Sequence, residues 1–171
     1  MNTTFRVVAL SLMSVAVLAG CKKNTKEVAP PPAVEPPPAM TEPTGTSGVY
    51  GPSDLDTDAC LRQRVVYFDL DQDALKPEFQ AIVSCHAKYL TDRPSARINL
   101  EGNADERGSR EYNLGLGERR GNAVSSALQA AGGSGSQLSV VSYGEERPTC
   151  TESNEDCWAK NRRVEIVYTA K

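Results

Sequence analysis

Asp105 and Arg120 stand fifteen positions apart, separated by a glycine-bounded loop and the opening of a helix. The loop reads Gly102-Asn103-Ala104-Asp105-Glu106-Arg107-Gly108, and the helix begins Glu111-Tyr112-Asn113-Leu114-Gly115-Leu116-Gly117-Glu118-Arg119-Arg120. If the loop curls over the first turns of the helix, carboxylate and guanidinium meet. Two chemistries are then open. One is a plain salt bridge. The other is a clamp on a zwitterion, in which the aspartate takes an ammonium and the arginine forks onto a carboxylate through two parallel hydrogen bonds. His86 is the only histidine, lies on the apolar face of its helix, and is expected to be a packed, satisfied residue. Cysteine spacings match no zinc pattern, so no metal and no cofactor are expected.

The elements that would position this pair can be read from hydrophobic periodicity. Val65-Val66-Tyr67-Phe68 is a short apolar run fit for a strand buried on both faces. Pro77 opens a helix with Phe79, Ile82, Val83, His86 and Leu90 on one face, and Arg93-Pro94 stops it. Ala96 to Leu100 alternates as a strand. Glu111 to Ala131 is a second helix, carrying Leu116, Val124 and Leu128 on one stripe and ending at Gly132-Gly133. Gly115, Gly117 and Gly121 inside it each cost about 1 kcal/mol relative to alanine. Leu138 to Tyr143 and Arg163 to Tyr168 are two further strands. The order βαβαββ implies parallel pairs joined by right-handed crossovers, with the last strand added antiparallel. The fold class expected is α+β, a two-layer α/β sandwich with a mixed four-stranded sheet and helices on one face. Asp105 falls at a strand-end loop leading into a helix, where open α/β sheets tend to bind ligands.

The chain has 171 residues, 19 Lys+Arg against 22 Asp+Glu, and 6% aromatic residues. That balance argues against a nucleic-acid binder, which needs a basic footprint and stacking platforms. Residues 1–20 read as an export signal, with Arg6 ahead of an apolar run from Val7 to Leu18 that is too short to span a bilayer. Eight of the eleven prolines lie between Pro30 and Pro52, so residues 21–53 are expected to form a disordered tether. Thirty or so residues of polyproline II could reach roughly 100 Å. The folded domain is expected over residues 54–171, long enough for one core.

Of the five cysteines, Cys21 follows the apolar run and the small residues Ala19-Gly20. Cys60, Cys85, Cys150 and Cys157 remain, an even set for an oxidising compartment, with three pairings open. Cys150 and Cys157 flank a polar loop between the last two strands, which favours a local bridge and leaves Cys60 to Cys85. The longer closure contributes about 2–3 kcal/mol in the chain-entropy picture.

Leu18-Ala19-Gly20-Cys21 resembles the bacterial lipobox, which implies a diacylglyceryl and N-acyl lipid on Cys21. Lys22 in the following position implies the outer membrane, on its periplasmic face. In the folded part, five separated motifs resemble the OmpA-like C-terminal domains, and more closely those of the lipoproteins that work with the Tol system. They are Tyr67-Phe68-Asp69-Leu70-Asp71, Glu101 to Gly108, Glu111-Tyr112-Asn113 with Leu116 to Arg120, Val141 to Gly144, and Lys160 to Arg163. The resemblance covers Arg64 to Tyr168. It implies that Asp105 and Arg120 hold the amine and carboxylate of meso-diaminopimelate in peptidoglycan. It further implies that Leu70 and Asp71 wall the pocket, that Asn113 and Leu116 line the same groove, and that Arg163 takes a second-arginine position. The partners it implies are peptidoglycan and a soluble TolB-like β-propeller with other Tol proteins. Ala104, where threonine is usual, and Leu70, where phenylalanine is common, depart from the pattern, and so do Cys60 and Cys85.

Enzyme readings fare worse. Phe68-Asp69-Leu70-Asp71 is similar to the DxD of aspartyl-phosphate phosphatases, but Gln72-Asp73 follows instead of the usual threonine. Asp69, Asp71 and Asp73 have calcium-loop spacing, but Ala74 and Gln80 occupy the required glycine and glutamate places. Glu101 with Asp105 could form a glycosidase pair, yet the chain lacks a cleft-forming second lobe. The expectation is a non-catalytic clamp tethering outer membrane to wall for envelope integrity and cell division, with a purely protein-docking lipoprotein as the alternative. Replacing Asp105 or Arg120 by alanine is expected to abolish wall binding and leave the fold intact.

Overall fold

The computed structural model describes residues 48–171; the apolar leader, Cys21 and the proline-rich run to residue 47 lie outside the described residues. Packing begins ahead of Asp54, because Tyr50 is buried and its backbone N–H donates to Asp92 at 2.9 Å. Helix α1 (Asp54–Thr57) follows, then strand β1 (Val65–Tyr67), a 3-10 turn at Pro77–Phe79 and helix α2 (Gln80–Asp92). Strand β2 (Arg97–Asn103), helix α3 (Arg110–Ala130), strand β3 (Leu138–Gly144), helix α4 (Glu155–Asn161) and strand β4 (Arg163–Ala170) complete the described chain.

The sheet is mixed and four-stranded, in the order β1-β4-β2-β3. β2 and β3 are parallel, with α3 as their crossover, and β4 runs antiparallel to both β1 and β2. β1 and β2 therefore share a direction without pairing, since β4 lies between them. The inner position suits β4: it is eight residues long with Val164 and Ile166 buried, whereas β1 has three residues. As an edge strand β1 buries only Val66, and Tyr67 is 39% exposed, contrary to the expected burial on both faces. Ile98 and Leu100 of β2, with Val164 and Ile166, pack against Val83 and Leu90 of α2 and Val124 and Leu128 of α3. Both long helices thus cover one face.

Helix α3 sits close enough to the sheet to demand glycine. A Cβ on Gly102 would fall 1.9 Å from the Gly117 carbonyl oxygen, and one on Gly121 would fall 2.5 Å from Val140 Cγ1. The propensity cost of these glycines is thereby offset by backbone-to-strand contact; nothing in the structure calls for glycine at 115. The helix starts at Ser109, whose side chain accepts from the Tyr112 N–H at 3.2 Å, and stops at Gly132, which has φ +108°.

Disulfides join Cys60 to Cys85 and Cys150 to Cys157, as the spacing predicts. His86 is fully buried, with Nε2 3.0 Å from the Gln63 carbonyl and Nδ1 2.7 Å from the Tyr168 hydroxyl. A carbonyl can only accept, so Nε2 carries the proton and Nδ1 accepts from tyrosine. Burial pushes the His86 pKa down to about 4. It is the satisfied core residue its helix position implies.

Candidate functional site

A pocket of about 340 Å³ opens where β2 ends and the chain turns into α3. The loop after β1 supplies Leu70 and Asp71, the loop after β2 supplies Ala104, Asp105, Arg107 and Gly108, and α3 supplies Tyr112, Asn113, Leu116 and Arg120. Six of the seven residues expected in the site line this one space: Leu70, Asp71, Asp105, Asn113, Leu116 and Arg120.

Arg120 forms its base. Nε donates to the Gln72 carbonyl at 2.8 Å, Nη1 to the Asn103 carbonyl at 2.9 Å and Nη2 to the Asp69 carbonyl at 3.1 Å. The guanidinium also lies over Phe68, 5.3 Å from the ring centroid. One side chain thus ties the loop after β1 to the end of β2, using three of the five N–H donors of a guanidinium. Burial lowers its pKa to about 10, which leaves it cationic at neutral pH. Among the described residues, no ion pair joins Arg120 to Asp105, so the plain salt bridge does not form.

Asp105 is held from another side. Its Oδ1 accepts from the Arg107 backbone N–H and Nε, both at 3.1 Å, and its Oδ2 from Arg107 Nη2 at 2.8 Å and Arg162 Nη1 at 3.2 Å. Burial alone would raise the Asp105 pKa, but the hydrogen bonds from Arg107 and Arg162 outweigh it and keep the carboxyl below its usual value. Arg162 is nearly buried and donates onward to the Phe68 carbonyl at 3.1 Å and to Glu155 at 2.6 Å.

Arg163 is a correction. It does not line the pocket; its Nε donates to Glu165 at 2.7 Å and its Nη2 to the Arg147 carbonyl at 3.1 Å. The arginine that reaches Asp105 is its neighbour Arg162. The physical reason is α4, which ends at Asn161 and turns the residue before β4 inward.

The walls differ in character. Leu116 is buried and Leu70 is 52% exposed, giving an apolar floor and an apolar lip. Asp71 has φ 58°, a left-handed conformation that aspartate tolerates better than most side chains, and its carboxylate accepts from the Tyr112 hydroxyl. Asn113 donates to Glu145. The three aspartates after β1 diverge: Asp69 meets Lys76 at 2.8 Å, Asp71 meets Tyr112, and Asp73 meets Arg119 at 3.1 Å. Glu101 pairs with Arg147 at 3.5 Å and does not line the pocket. Among the described residues, no group of three or more His, Cys, Asp or Glu is placed to hold a metal ion.

Sequence reasoning missed Arg107, Tyr112 and Arg162. Arg107 had a signal: an aspartate side chain commonly accepts from the backbone N–H two residues on. Tyr112 follows from the helix start once Asn113 is placed in the groove. Arg162 had only an indirect one, the cap and two acids of Asn154-Glu155-Asp156 that start α4, the helix that orients it.

Residues 67–162 match the OmpA family, a span that includes every pocket residue. The chain belongs to the OmpA family. Among its relatives, a peptidoglycan-associated lipoprotein of Pseudomonas putida is 50% identical over 113 residues, 66% of this chain and 68% of that protein. One of Haemophilus influenzae is 37% identical over 155 residues, 91% of this chain and 92% of its own. The crystal structure of the peptidoglycan-associated lipoprotein from Burkholderia pseudomallei superposes with a TM-score of 0.66 at 41% identity, covering 68% of this chain and 98% of that one. The C-terminal domain of Helicobacter pylori MotB superposes at 0.58 and 26% identity, covering 63% and 84%. Within this OmpA-family frame, the mixed sheet carries the pocket at the exit of its second strand. Among the described residues no helix is long and apolar enough to cross a membrane.

Proposed function

We propose that this protein is a non-catalytic clamp that binds peptidoglycan through meso-diaminopimelate and tethers the outer membrane to the wall. One observation carries the reading: Asp105 and Arg120 border a single pocket, carry opposite charges and form no direct ion pair with each other, Asp105 being held by Arg107 and Arg162 and Arg120 by backbone carbonyls. A zwitterion laid across that space meets a carboxylate at one end and the Arg120 guanidinium at the other. Arg120 is fully buried, so its two remaining N–H donors are reached only if the loop after β1, which it ties down through Asp69 and Gln72, moves aside. The names of its relatives, peptidoglycan-associated lipoproteins, support the same reading.

All four acceptor positions of Asp105 are occupied, so an ammonium must take the place of an existing donor. Arg107 is the candidate to yield. Its side chain is 32% exposed against 7% for Arg162, and it lines the pocket. In the structure it also lies 3.5 Å from Glu155 and 4.1 Å from the centre of the Trp158 ring, two partners that can receive it when it leaves Asp105. Arg162 stays and holds the carboxylate in place. Leu70 and Leu116 cover the apolar stem of the ligand, and Asp71, fixed by Tyr112, borders it.

In the same proposal Cys21 carries the lipid and the chain ahead of Tyr50, where packing begins, spans the gap to the wall. Confinement of both ends to surfaces lets modest single-site affinity act through effective concentration. Work within a Tol-type system with a β-propeller partner belongs to this reading.

The test is sedimentation with purified sacculi, competed by free meso-diaminopimelate. Asp105→Asn keeps the shape and removes the charge; it is expected to lose at least tenfold in binding, since charge-assisted hydrogen bonds contribute about 1.5–3 kcal/mol. Native-like sedimentation of Asp105→Asn, or failure of the free amino acid to compete, overturns the assignment.

A further inference from the structure

The loop between β3 and β4 is polar and mostly exposed, yet its side chains converge on the arginines that hold Asp105. Glu155 Oε1 accepts from Arg162 Nη2 at 2.6 Å, and Arg162 Nη1 donates to Asp105 at 3.2 Å. Glu155 Oε2 lies 3.5 Å from Arg107, whose guanidinium stacks on Trp158 at 4.1 Å from the ring centroid. Glu106, beside Asp105, accepts from Trp158 Nε1 at 3.0 Å and from the Ser153 hydroxyl at 2.7 Å. Ser153, Glu155 and Trp158 therefore grip three residues, Glu106, Arg107 and Arg162, that surround one carboxylate.

Little apolar packing fixes these three gripping residues. Ser153 and Glu155 are exposed and Trp158 is only partly covered; the buried anchor of α4 is Cys157, bonded to Cys150. Asn154 caps α4 by accepting from the Cys157 N–H at 3.0 Å. A short polar segment of this kind has few contacts to offset its ordering entropy, and a covalent closure removes much of that cost.

We propose that the loop closed by Cys150–Cys157, together with α4, is the positioning device for Asp105, acting through Glu155 on Arg162, which stays on the carboxylate, and through Glu155 and Trp158 as the seat that takes Arg107 when the ligand's ammonium displaces it. The inference rests on the pocket reading above. Its consequence is that one of the two disulfides serves the site and the other does not. Neither bridge lines the pocket; Cys60–Cys85 ties the segment before β1 to α2, whereas Cys150–Cys157 closes the loop whose Ser153, Glu155 and Trp158 bind Glu106, Arg107 and Arg162. The residues of the gripping loop act through the arginines and are not themselves ligand contacts.

Opening the loop loosens the hold of Arg162 on Asp105 and removes the seat for the displaced Arg107, so the carboxyl becomes easier to protonate. The charged groups around it are Arg107 and Glu106 on its own loop, Arg162 and Glu155 at α4, Arg120 on α3, and Asp71 across the pocket. Losing cationic contacts from this set moves the acid limb of ligand binding to higher pH; a destabilised fold also fails at higher pH, so far-UV circular dichroism at each pH accompanies the binding and the limb is read only where the variant is folded.

The experiment measures sacculus sedimentation and competition by free meso-diaminopimelate between pH 3 and 7. It compares the full chain, Cys150→Ser/Cys157→Ser, Cys60→Ser/Cys85→Ser, Glu155→Gln and Asp105→Asn. The Cys150/Cys157 pair is expected to bind about tenfold more weakly, with its acid limb raised by about one pH unit. Glu155→Gln, on an exposed side chain, releases Arg162 but also removes an anion near Asp105, so it is expected to weaken binding by a few-fold with its acid limb unmoved, and its affinity decides the matter if the double variant fails to fold. Cys60→Ser/Cys85→Ser is expected to leave affinity and limb unchanged in whatever fraction folds. Native affinity in both loop variants and an unmoved limb in the Cys150/Cys157 pair, with Asp105→Asn losing binding, overturn this inference alone. Native binding by Asp105→Asn overturns the pocket reading and the inference with it.

Discussion

Both ends of the sheet bury polar side chains close to a disulfide, and they use them in opposite ways. At the end where β2 begins, His86 lies beside Cys85, with both ring nitrogens paired to protein groups. Burial takes its pKa to about 4, so it carries no charge at neutral pH. At the end where β2 finishes, burial also lowers the Arg120 pKa, yet only to about 10, and Asp105 is held ionised by its arginine partners. One end has discharged its polar groups into the fold. The other keeps two opposite charges beside open space. Burial of a polar side chain is thus no mark of a site; retained charge with donors to spare is.

The largest effect separating the two ends is expected from Arg120→Ala. The expectation that the fold survives this change intact does not fit the structure, because Arg120 satisfies the carbonyls of Asp69, Gln72 and Asn103. Leaving them without donors costs about 3–5 kcal/mol in urea unfolding, alongside loss of sacculus binding. A cost under about 1 kcal/mol would mean that water reaches these carbonyls and that Arg120 is a ligand contact with no structural duty. Asp105→Asn leaves those carbonyls satisfied but sets an amide NH2 against the donors of Arg107 and Arg162, so its unfolding midpoint is read beside its binding.

At the opposite end the strongest effect is expected from acid. The folded state holds His86 near 4 against about 6.5 in the unfolded chain, so its contribution is complete above 6.5 and is lost as pH falls towards 4. The loss amounts to about 3 kcal/mol across that window. Asp105 and Asp92, both held below the usual carboxylate value, add a loss in the same direction at lower pH. Urea midpoints of the native chain and His86→Phe between pH 7 and 4 separate the contributions. A slope unchanged in His86→Phe would place the acid sensitivity elsewhere.

The sequence made the first end legible almost completely. His86 at helical spacing among Ile82, Val83 and Leu90 could only point inward, and the cysteine spacings pointed to both bridges. Of the site it revealed the members and misjudged the wiring. Asp105 and Arg120 were placed in one pocket, but Arg120 was pictured as a free fork, because its three carbonyl partners are contributed by backbone segments that carry no side-chain signal. Arg162 and Arg163 differ by one residue, and which of them faces Asp105 depends on α4. The start of α4 was nevertheless written in Asn154-Glu155-Asp156, a cap followed by two acids. The placement of β4 between β1 and β2 is a property of pairing between distant segments, which local periodicity does not encode.

The smallest expected effects come from making one chemical change at both ends, removal of a tyrosine hydroxyl. Tyr168 donates to His86 Nδ1 in the core, and Tyr112 donates to Asp71 on the pocket rim. In Tyr168→Phe the buried imidazole nitrogen loses its donor, with an expected cost of about 1–3 kcal/mol in unfolding and no change in sacculus binding. In Tyr112→Phe the exposed carboxylate turns to water, so the unfolding midpoint is expected to stay where it is. Asp71 then loses the contact that holds it in its left-handed conformation, and sacculus binding is expected to weaken by a few-fold. The same lost oxygen should therefore cost stability alone at one end and binding alone at the other. Loss of binding in Tyr168→Phe, or loss of stability in Tyr112→Phe, would show that the two ends are mechanically coupled through β4 and β2 and that the division between them is false.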